Sequence, residues 1–373
     1  MINSVNRITR FLRRRFTLGQ IAGIPIRLDY RWFIVFALFS WLVSSNIPAR
    51  LVESGLARFA IGFTTVLTFF ATLFIHELAH AYSARRERIE VLEIELQPFG
   101  GVARLRREPD TPGAEFRIAI AGPLASFLIA LILLGLFGFS TYVGTAILTP
   151  VLFLLFLLNL LLAVFNLFPG FPLDGGRVLR AILWRKGMDL SEATKLTGKF
   201  GQIISFALIF FGVGIIGFSR DLFTGLWSIV VGLFLLDSAT GFIRGVDKFE
   251  NLKAAEVMEM PISVSPDMSI MECVDKIIPF HKEIIFPASS ERELFGFLVL
   301  DDVRKKLPRN KWRNTLVRDV MRPIREDYFV ETGTSVVEAR NFLKTNGLGV
   351  LGVIDGNGKL VGVVRSGRIR RRN

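Results

Sequence analysis

A long apolar stretch begins near Phe59 and ends in HELAH at 76–80, so ionisable side chains lie where a membrane helix would present only hydrocarbon. On a helix, His76 and His80 share one face because they are four residues apart, and two such imidazoles can bind one metal ion. Glu77, beside them, can act on water that the metal activates. Ionisable groups inside an apolar span are costly and indicate a functional site. The pattern therefore predicts a metal-binding helix in a membrane domain.

Two protein ligands do not complete a hydrolytic zinc site, which usually has three together with a water. The remaining histidine and the single cysteine, His281 and Cys273, lie in the polar C-terminal part. A carboxylate is the remaining choice, and Asp174 follows an apolar run in NLFPGFPLDGGR at 166–177. The prolines and glycines of this segment predict an irregular backbone, which membrane proteins tolerate where it is buried or lines a wet cavity. Alternatively, Asp174 simply marks the exit from a helix into a loop.

Four motifs follow one another along the chain: HELAH at 76–80, FGG at 99–101, AGPLAS at 121–126 and NLFPGFPLDGG at 166–176. On these motifs the chain resembles the site-2 proteases, a family of intramembrane zinc metalloproteases. The resemblance implies one Zn2+ per chain, held by His76, His80 and Asp174, with Glu77 as the general base. It also implies that Asn166 lies near the scissile carbonyl as a polarising donor.

Three residues qualify the resemblance. The chain reads Asp29-Tyr30 where the family often has His-Trp, although neither position is expected to touch the metal. Asn166 has a second interpretation, since a buried asparagine can simply bridge two helices. Its position eight residues before Asp174 favours the catalytic interpretation, as an oxyanion donor.

The other two motifs have structural interpretations as well. Residues 85–116 include a partly alternating sequence around FGG, which predicts strands that return toward the catalytic helix or, alternatively, a surface hairpin. In AGPLAS, the small residues Gly122, Ala125 and Ser126 predict close helix packing rather than chemistry.

Six apolar segments are predicted to cross the membrane, where a span needs about 20 residues. They are 32–48, 58–84, 117–138, 144–168, 199–218 and 223–243. Hydrophobic residues make up 51% of the chain and charged residues 21%, which fits a membrane domain joined to a soluble one. The expected fold class is a polytopic α-helical membrane protein with six transmembrane helices and a C-terminal α/β tandem domain. We expect a basic tail and a short hairpin over 1–31, and the membrane domain over 32–246.

Lysine and arginine are concentrated at both ends of the chain and in alternate connections between the spans. The basic segments within the membrane domain are 85–116 and the connector 177–198. By the positive-inside rule, both termini lie in the cytoplasm of a multi-pass cell-membrane protein. Orientation also explains the net charge of +13, so no nucleic-acid partner is expected. The basic residues of 1–15 precede no small-residue cleavage site, which indicates a cytosolic tail rather than a signal peptide.

Residues 254–305 and 316–369 form two copies of one α/β pattern, each with a Val-Met start, a strand and a helix. The two copies resemble a tandem pair of CBS modules. The resemblance implies a regulatory domain, an adenine nucleotide as its ligand, and a homodimer formed through the CBS domains.

The nucleotide expectation depends mainly on Asp302, which matches the ribose-binding acid of the CBS family. Arg368 takes the equivalent place in the second copy, and Val299 and Arg365 replace the usual Thr or Ser. These departures weigh against nucleotide binding.

Together these features predict a zinc-dependent intramembrane endopeptidase regulated by a cytosolic CBS pair. Its substrates would be transmembrane helices of membrane-tethered regulatory proteins, cleaved within the lipid bilayer in regulated intramembrane proteolysis. The alternative is a CBS-regulated divalent-cation transporter or channel, whose pathway would also contain intramembrane His, Glu and Asp. Glu77 separates the two, because a hydrolase needs a base beside the first histidine and a transport site does not. The complete ligand set argues against a third interpretation, an inactive scaffold.

Overall fold

The computed structural model describes residues 15–97, 100–281 and 283–367. The expected basic tail up to position 14, Phe99 of the FGG motif and Arg368 lie outside the described residues. The chain divides into two compact units, Met1–Ile243 and Arg244–Asn373.

Long apolar helices dominate the first unit. In chain order, the helices of its described part are α1 Arg31–Ser45, α2 Gly55–Arg86, α3 Pro112–Val143, α4 Leu148–Asn166, α5 Asp174–Arg185, α6 Leu190–Ser219 and α7 Leu222–Glu250, the last of which continues into the second unit. Among the described residues, five helices are long and apolar enough to cross a membrane, namely α2, α3, α4, α6 and α7. The expected first span, 32–48, is a shorter apolar helix of 15 residues. The protein is therefore a multi-pass membrane protein.

Two sequence-based boundaries differ from the structure. The expected fourth span, 144–168, begins only at Leu148, because Gly144 adopts a left-handed φ of 78° and ends α3. The expected connector 177–198 is mostly helical, since it contains most of α5 and the start of α6. Its arginines resemble those of an exposed loop in the sequence, but Arg180 is buried.

A four-stranded sheet lies beside the helices. Its strands are β1 Arg15–Ile21, β2 Ile24–Asp29, β3 Val91–Gln97 and β4 Gly100–Leu105, in that spatial order. The short hairpin expected within 1–31 is the antiparallel pair β1 and β2. β2 and β3 run parallel, with Ile26 opposite Ile94, and β3 and β4 run antiparallel. A core that includes Ile24, Ile94, Ala81 and Ile118 joins this sheet to α2 and α3.

The second unit contains two three-stranded sheets among its described residues. The strands are β5 Ile285–Ser290, β6 Glu293–Val299 and β7 Arg322–Pro323 in one sheet, and β8 Phe329–Glu331, β9 Val350–Ile354 and β10 Leu360–Arg365 in the other. The helices are α8 Ala254–Val257, α9 Ile270–Lys276, α10 Leu300–Lys306, α11 Val317–Val320 and α12 Val336–Thr345.

Each repeat contributes its first short helix to the core of the other repeat. Val257 of α8 packs with Val330 and Leu351 around the second sheet. Val317 of α11 packs with Phe286 around the first sheet. The sequence copies 254–305 and 316–369 therefore do not coincide with the two packed cores, because a repeat in sequence does not reveal which helix covers which sheet.

Candidate metal centre

Helix α2 carries His76, Glu77 and His80 near its C-terminal end, and all three side chains are buried. The two histidines lie one turn apart on the same face, and their Nε2 atoms are 3.2 Å from each other. Their rings meet edge to face, with centroids 4.9 Å apart. Both imidazoles therefore point to one place between the helices.

Asp174 completes the group from the first residue of α5. Its Oδ2 lies 3.2 Å from His76 Nε2 and 3.1 Å from His80 Nε2. The irregular backbone expected around Asp174 ends before it, and the two following glycines belong to the first turn of the helix. A Cβ at Gly175 would lie 2.5 Å from the carbonyl oxygen of Phe168, so glycine allows α5 to start against the preceding loop.

The other ring nitrogen of each histidine is engaged by α3. His80 Nδ1 donates to the Ile118 carbonyl at 2.7 Å, and His76 Nδ1 lies 2.9 Å from Ser126 Oγ. Partners of this kind fix the ring orientation and leave Nε2 for a metal. Gly122 lies between Ile118 and Ser126 on α3, where a Cβ would be 2.7 Å from His76 Nε2. The AGPLAS segment was expected to serve only helix packing, but Gly122 and Ser126 both contact the histidines of the site. The available signal was their spacing, because residues four apart share one helix face.

The donor set fits a tetrahedral divalent cation. The three ligand atoms lie within 4.8 Å of one another. Zinc bonded at its usual distance to nitrogen separates neighbouring ligand atoms by about 3.3 Å, close to the 3.1–3.2 Å observed between the two Nε2 atoms and Oδ2. Two imidazoles and one carboxylate leave a fourth position open, as catalytic zinc sites do.

Glu77 lies against strand β4. The backbone of Gly101 hydrogen-bonds its carboxylate, and a Cβ at Gly101 would come within 2.6 Å of Glu77 Cδ. Of the two alternatives for 85–116, the structure therefore agrees with strands next to α2 and not with a separate surface hairpin. Glycine at this position lets the strand approach the carboxylate closely.

Asn166 ends helix α4, eight residues before Asp174. Its amide Nδ2 donates to the Leu162 carbonyl at 3.0 Å, which is a bond within its own helix. Sequence reasoning passed over Asn159, two turns earlier on the same face. Asn159 is fully buried and its Oδ1 has no hydrogen-bond partner among the described residues. The sequence signal that could have identified Asn159 as a candidate is a polar asparagine within an apolar helix.

Asp302 lies in α10 of the second unit, where its carboxylate forms an ion pair with Arg322. The distance from Arg322 Nε to Asp302 Oδ2 is 2.7 Å, and this hydrogen bond raises the pKa of Arg322 above its usual value. Arg365 contacts Glu259 and Glu283 at 3.1 and 3.5 Å. The acid expected to bind ribose is therefore already engaged by a cation of its own chain.

Comparison with known proteins agrees with this geometry. The description Peptidase family M50 matches residues 64–147 and 139–212, and the description CBS domain matches residues 317–372. The chain is 35% identical over 293 residues to zinc metalloprotease MJ0392 of Methanocaldococcus jannaschii, covering 78% of this chain and 79% of the relative.

Two further proteins are similar. The sll0528 protein of Synechocystis sp. is 30% identical over 374 residues, 96% of each chain. A solved structure described as the site-2 protease from Methanocaldococcus jannaschii has 33% identity, covers 62% of this chain and 96% of its own, and has a TM-score of 0.43. With a family match over the helices that carry His76, His80 and Asp174, and a relative of 35% identity across most of both chains, the chain belongs to peptidase family M50, the site-2 proteases.

Proposed function

We propose that this protein is a zinc-dependent intramembrane endopeptidase. The observation that carries the proposal is the convergence of His76 Nε2, His80 Nε2 and Asp174 Oδ2 on one point, beside the carboxylate of Glu77. The metalloprotease named among the relatives supports the same chemistry. His76, His80 and Asp174 would hold one Zn2+ per chain.

Zinc in such a site supplies a Lewis acid that lowers the pKa of water and polarises a carbonyl. Glu77 accepts the proton of the attacking water and returns it to the leaving amine as the peptide bond breaks. Asn166, at the end of α4, would turn its amide from Leu162 toward the developing oxyanion. Ser126 and the Ile118 carbonyl hold the imidazoles in orientation throughout.

The substrate proposed is a transmembrane helix of a membrane-tethered regulatory protein. A helix in lipid satisfies all of its amides internally, so the scissile bond becomes accessible only after local unwinding. The site supports such a substrate because two candidate membrane helices form most of it, α2 with the two histidines and α3 with their partners, and Asp174 follows a third, α4.

The sheet supports a sixth span. β2 and β3 are hydrogen-bonded neighbours and must lie on one side of the membrane, yet α1 and α2 connect them. If α2 crossed alone, the two strands would be separated by the bilayer. We therefore include α1 among six spans, although 15 residues extend only about 22 Å and local thinning of the bilayer must compensate.

The lysine and arginine distribution supports a cell-membrane location with both termini in the cytoplasm. The C-terminal unit would then lie in the cytoplasm as a tandem CBS pair that regulates cleavage and joins two copies of the chain in a homodimer. The expected modules, 254–305 and 316–369, supply none of the proposed metal ligands. Adenine nucleotide is retained as a candidate ligand only at Asp302.

The decisive experiment separates the base from the ligands. In Glu77→Gln the amide is nearly isosteric and is not a proposed ligand, so purified protein should retain stoichiometric zinc. Loss of general acid–base assistance should reduce cleavage of a transmembrane reporter by about 10² to 10⁴. His76→Ala and Asp174→Ala should lose zinc as well as cleavage. Metal analysis and reporter cleavage on the same preparations provide both measurements.

Glu90→Gln serves as the matched control, since Glu90 is an exposed glutamate that pairs with Arg106. It should cleave at the wild-type rate. Wild-type cleavage by Glu77→Gln would exclude the protease mechanism, and cation flux through the same variants would then test the transporter alternative.

A further inference from the structure

Arg180 lies six residues after Asp174 on α5, and only 6% of its surface is exposed. A charge removed from water to this extent needs a partner. Its Nε and Nη2 both approach Glu115 Oε1, at 2.6 and 2.5 Å. Glu115 lies in the first turn of α3 and is only 1% exposed. The pair therefore joins α5 to α3 inside the protein.

The guanidinium of Arg180 also contacts the segments on either side of α5. Its Nη1 lies 3.4 Å from Thr194 Oγ1 on α6, and its centre lies 5.2 Å from the Phe171 ring. Phe171 belongs to the loop before Asp174 and stacks on Phe242 with centroids 4.2 Å apart. A fourth partner, Glu108, lies 3.6 Å from Nη2. Arg180 thus holds both ends of the segment that carries the third metal ligand.

Helix α3 also orients the other two ligands. The Ile118 carbonyl accepts from His80, and Ser126 bonds His76. Glu115 and Ile118 are three residues apart and share one face of α3. One helix therefore sets both imidazoles directly and sets the carboxylate of Asp174 through Arg180.

Stability alone does not account for such a pair. Buried ion pairs often contribute no more than well-packed hydrophobic residues of similar volume, because both charges lose their hydration. An arginine adds direction, since its planar group fixes the angle at which its partners are held.

We propose that the Glu115–Arg180 pair is a positioning device that places Asp174 at bonding distance from the metal, so that Arg180 acts through Asp174. The proposal rests on the three-residue metal site of the proposed function. It concerns residues that the sequence motifs do not include.

The test is a double-mutant cycle on detergent-purified full-length protein, with zinc affinity measured by competition against a chromophoric chelator. Arg180→Gln and Glu115→Gln should each weaken zinc binding about ten- to a hundredfold, the effect typical of groups that support metal ligands. In an Asp174→Ala background the same substitutions should change the affinity less than twofold, because their target is already gone. Cobalt(II) in place of zinc should show an altered visible spectrum in Arg180→Gln.

Two variants keep the test interpretable. Arg180→Lys retains the charge and should recover part of the affinity, so it can replace Arg180→Gln if that variant does not fold. Arg117 lies in the first turns of α3, as Glu115 does, and forms an exposed ion pair with Glu87. Arg117→Gln breaks this pair and should leave zinc affinity unchanged.

Equal weakening in both backgrounds, or wild-type zinc affinity in Arg180→Gln, would overturn the positioning role. If Asp174→Ala alone retained wild-type affinity, the proposed metal site would fail first. The two failures are therefore distinguishable.

Discussion

Each of the two metal-site histidines has both ring nitrogens committed. Nδ1 is bonded to α3 and Nε2 faces Asp174, so neither ring can turn without losing a buried contact. Removing a hydrogen-bond partner from a buried polar group costs about 1–3 kcal/mol. The imidazoles are thus oriented before any metal arrives, which favours tight binding.

The side chain of Asn166 can be tested for a direct role in catalysis. Asn166→Ala should lower kcat for reporter cleavage about 10²- to 10³-fold, the usual cost of one oxyanion donor, while zinc content and KM stay near the wild-type values. Asn46 is a matched control, because its amide also bonds a carbonyl four residues earlier, that of Leu42. Asn46→Ala should keep the wild-type kcat. An unchanged kcat in Asn166→Ala would remove this residue from the mechanism.

The carboxylate of Asp302 can be tested for nucleotide binding. Because Arg322 competes for this carboxylate, ATP should bind the wild-type protein weakly, and Arg322→Ala should tighten binding up to about fivefold, the limit for a partly exposed ion pair. Asp302→Ala should bind no ATP in an isothermal titration. Arg325→Ala, which breaks an exposed pair with Asp327, is the control. Tight binding by Asp302→Ala would show that nucleotide is held elsewhere.

The proximity of the proposed ligands can be predicted from the sequence in part, because two histidines four residues apart on a helix share one face. Asp174 follows by elimination, since few carboxylates come after an apolar run. Ile118 cannot be identified in this way, because it contributes a backbone carbonyl that any residue would supply. Arg180 falls in a predicted basic connector, because its partner Glu115 is distant in sequence and gives no local signal.

At the scale of elements, close approach between α2 and α3 makes the site possible. Gly122 is where the two helices meet, since a Cβ there would come within 2.7 Å of both histidine rings. A side chain there would separate the elements or turn the imidazoles away. The helix interface and the metal site are therefore one surface.

Gly122→Ala should accordingly weaken zinc binding tenfold or more, because the added methyl group would turn both imidazoles. Loss of a single group that supports a metal ligand already lowers metal affinity roughly 10- to 100-fold. Gly135 lies on the same helix and faces open space, because no atom of the described residues would lie within 4 Å of a Cβ there. Gly135→Ala should keep wild-type zinc affinity in the chelator competition. Equal affinities in the two variants would contradict the close approach at Gly122.

The long helices are predictable because an apolar run of membrane length has few other solutions. Helix α5 is not predictable in this way, since its apolar face is short and its arginines give the sequence the character of a solvated loop. The parallel pairing of β2 with β3 also escapes prediction, because nothing in either strand indicates a partner that follows two helices later. Long-range pairing is set by the packing of the helices between.

At the scale of the whole molecule, the proposed six spans imply an orientation that can be measured. Tyr142, at the end of α3, is 90% exposed, and Lys305 is exposed on α10. With both termini in the cytoplasm, a membrane-impermeant maleimide should label Tyr142→Cys in intact cells and label Lys305→Cys only after permeabilisation.

The native cysteine does not interfere with this measurement. Cys273 is buried, and burial raises the pKa of its thiol to about 11, so the reactive thiolate is scarce at neutral pH. The unsubstituted protein is thus the blank. Labelling of Lys305→Cys but not Tyr142→Cys in intact cells would reverse the orientation and move the C-terminal unit outside the cell.

The parallel register of β2 and β3 also bears on the order in which the protein matures. Ile26 emerges from the ribosome long before Ile94, and helices α1 and α2 must form between them. Pairings so distant along the chain form late, because the entropy of closing the loop is lost before any contact forms. The contact of His76 with Asp174 spans 98 residues and needs a segment that follows β4, so a newly made chain should enclose Glu77 against β4 before its proposed metal ligands come together. Proteolytic competence would then be the last property to appear during biogenesis, so a chain that is still folding would not yet cleave other membrane proteins.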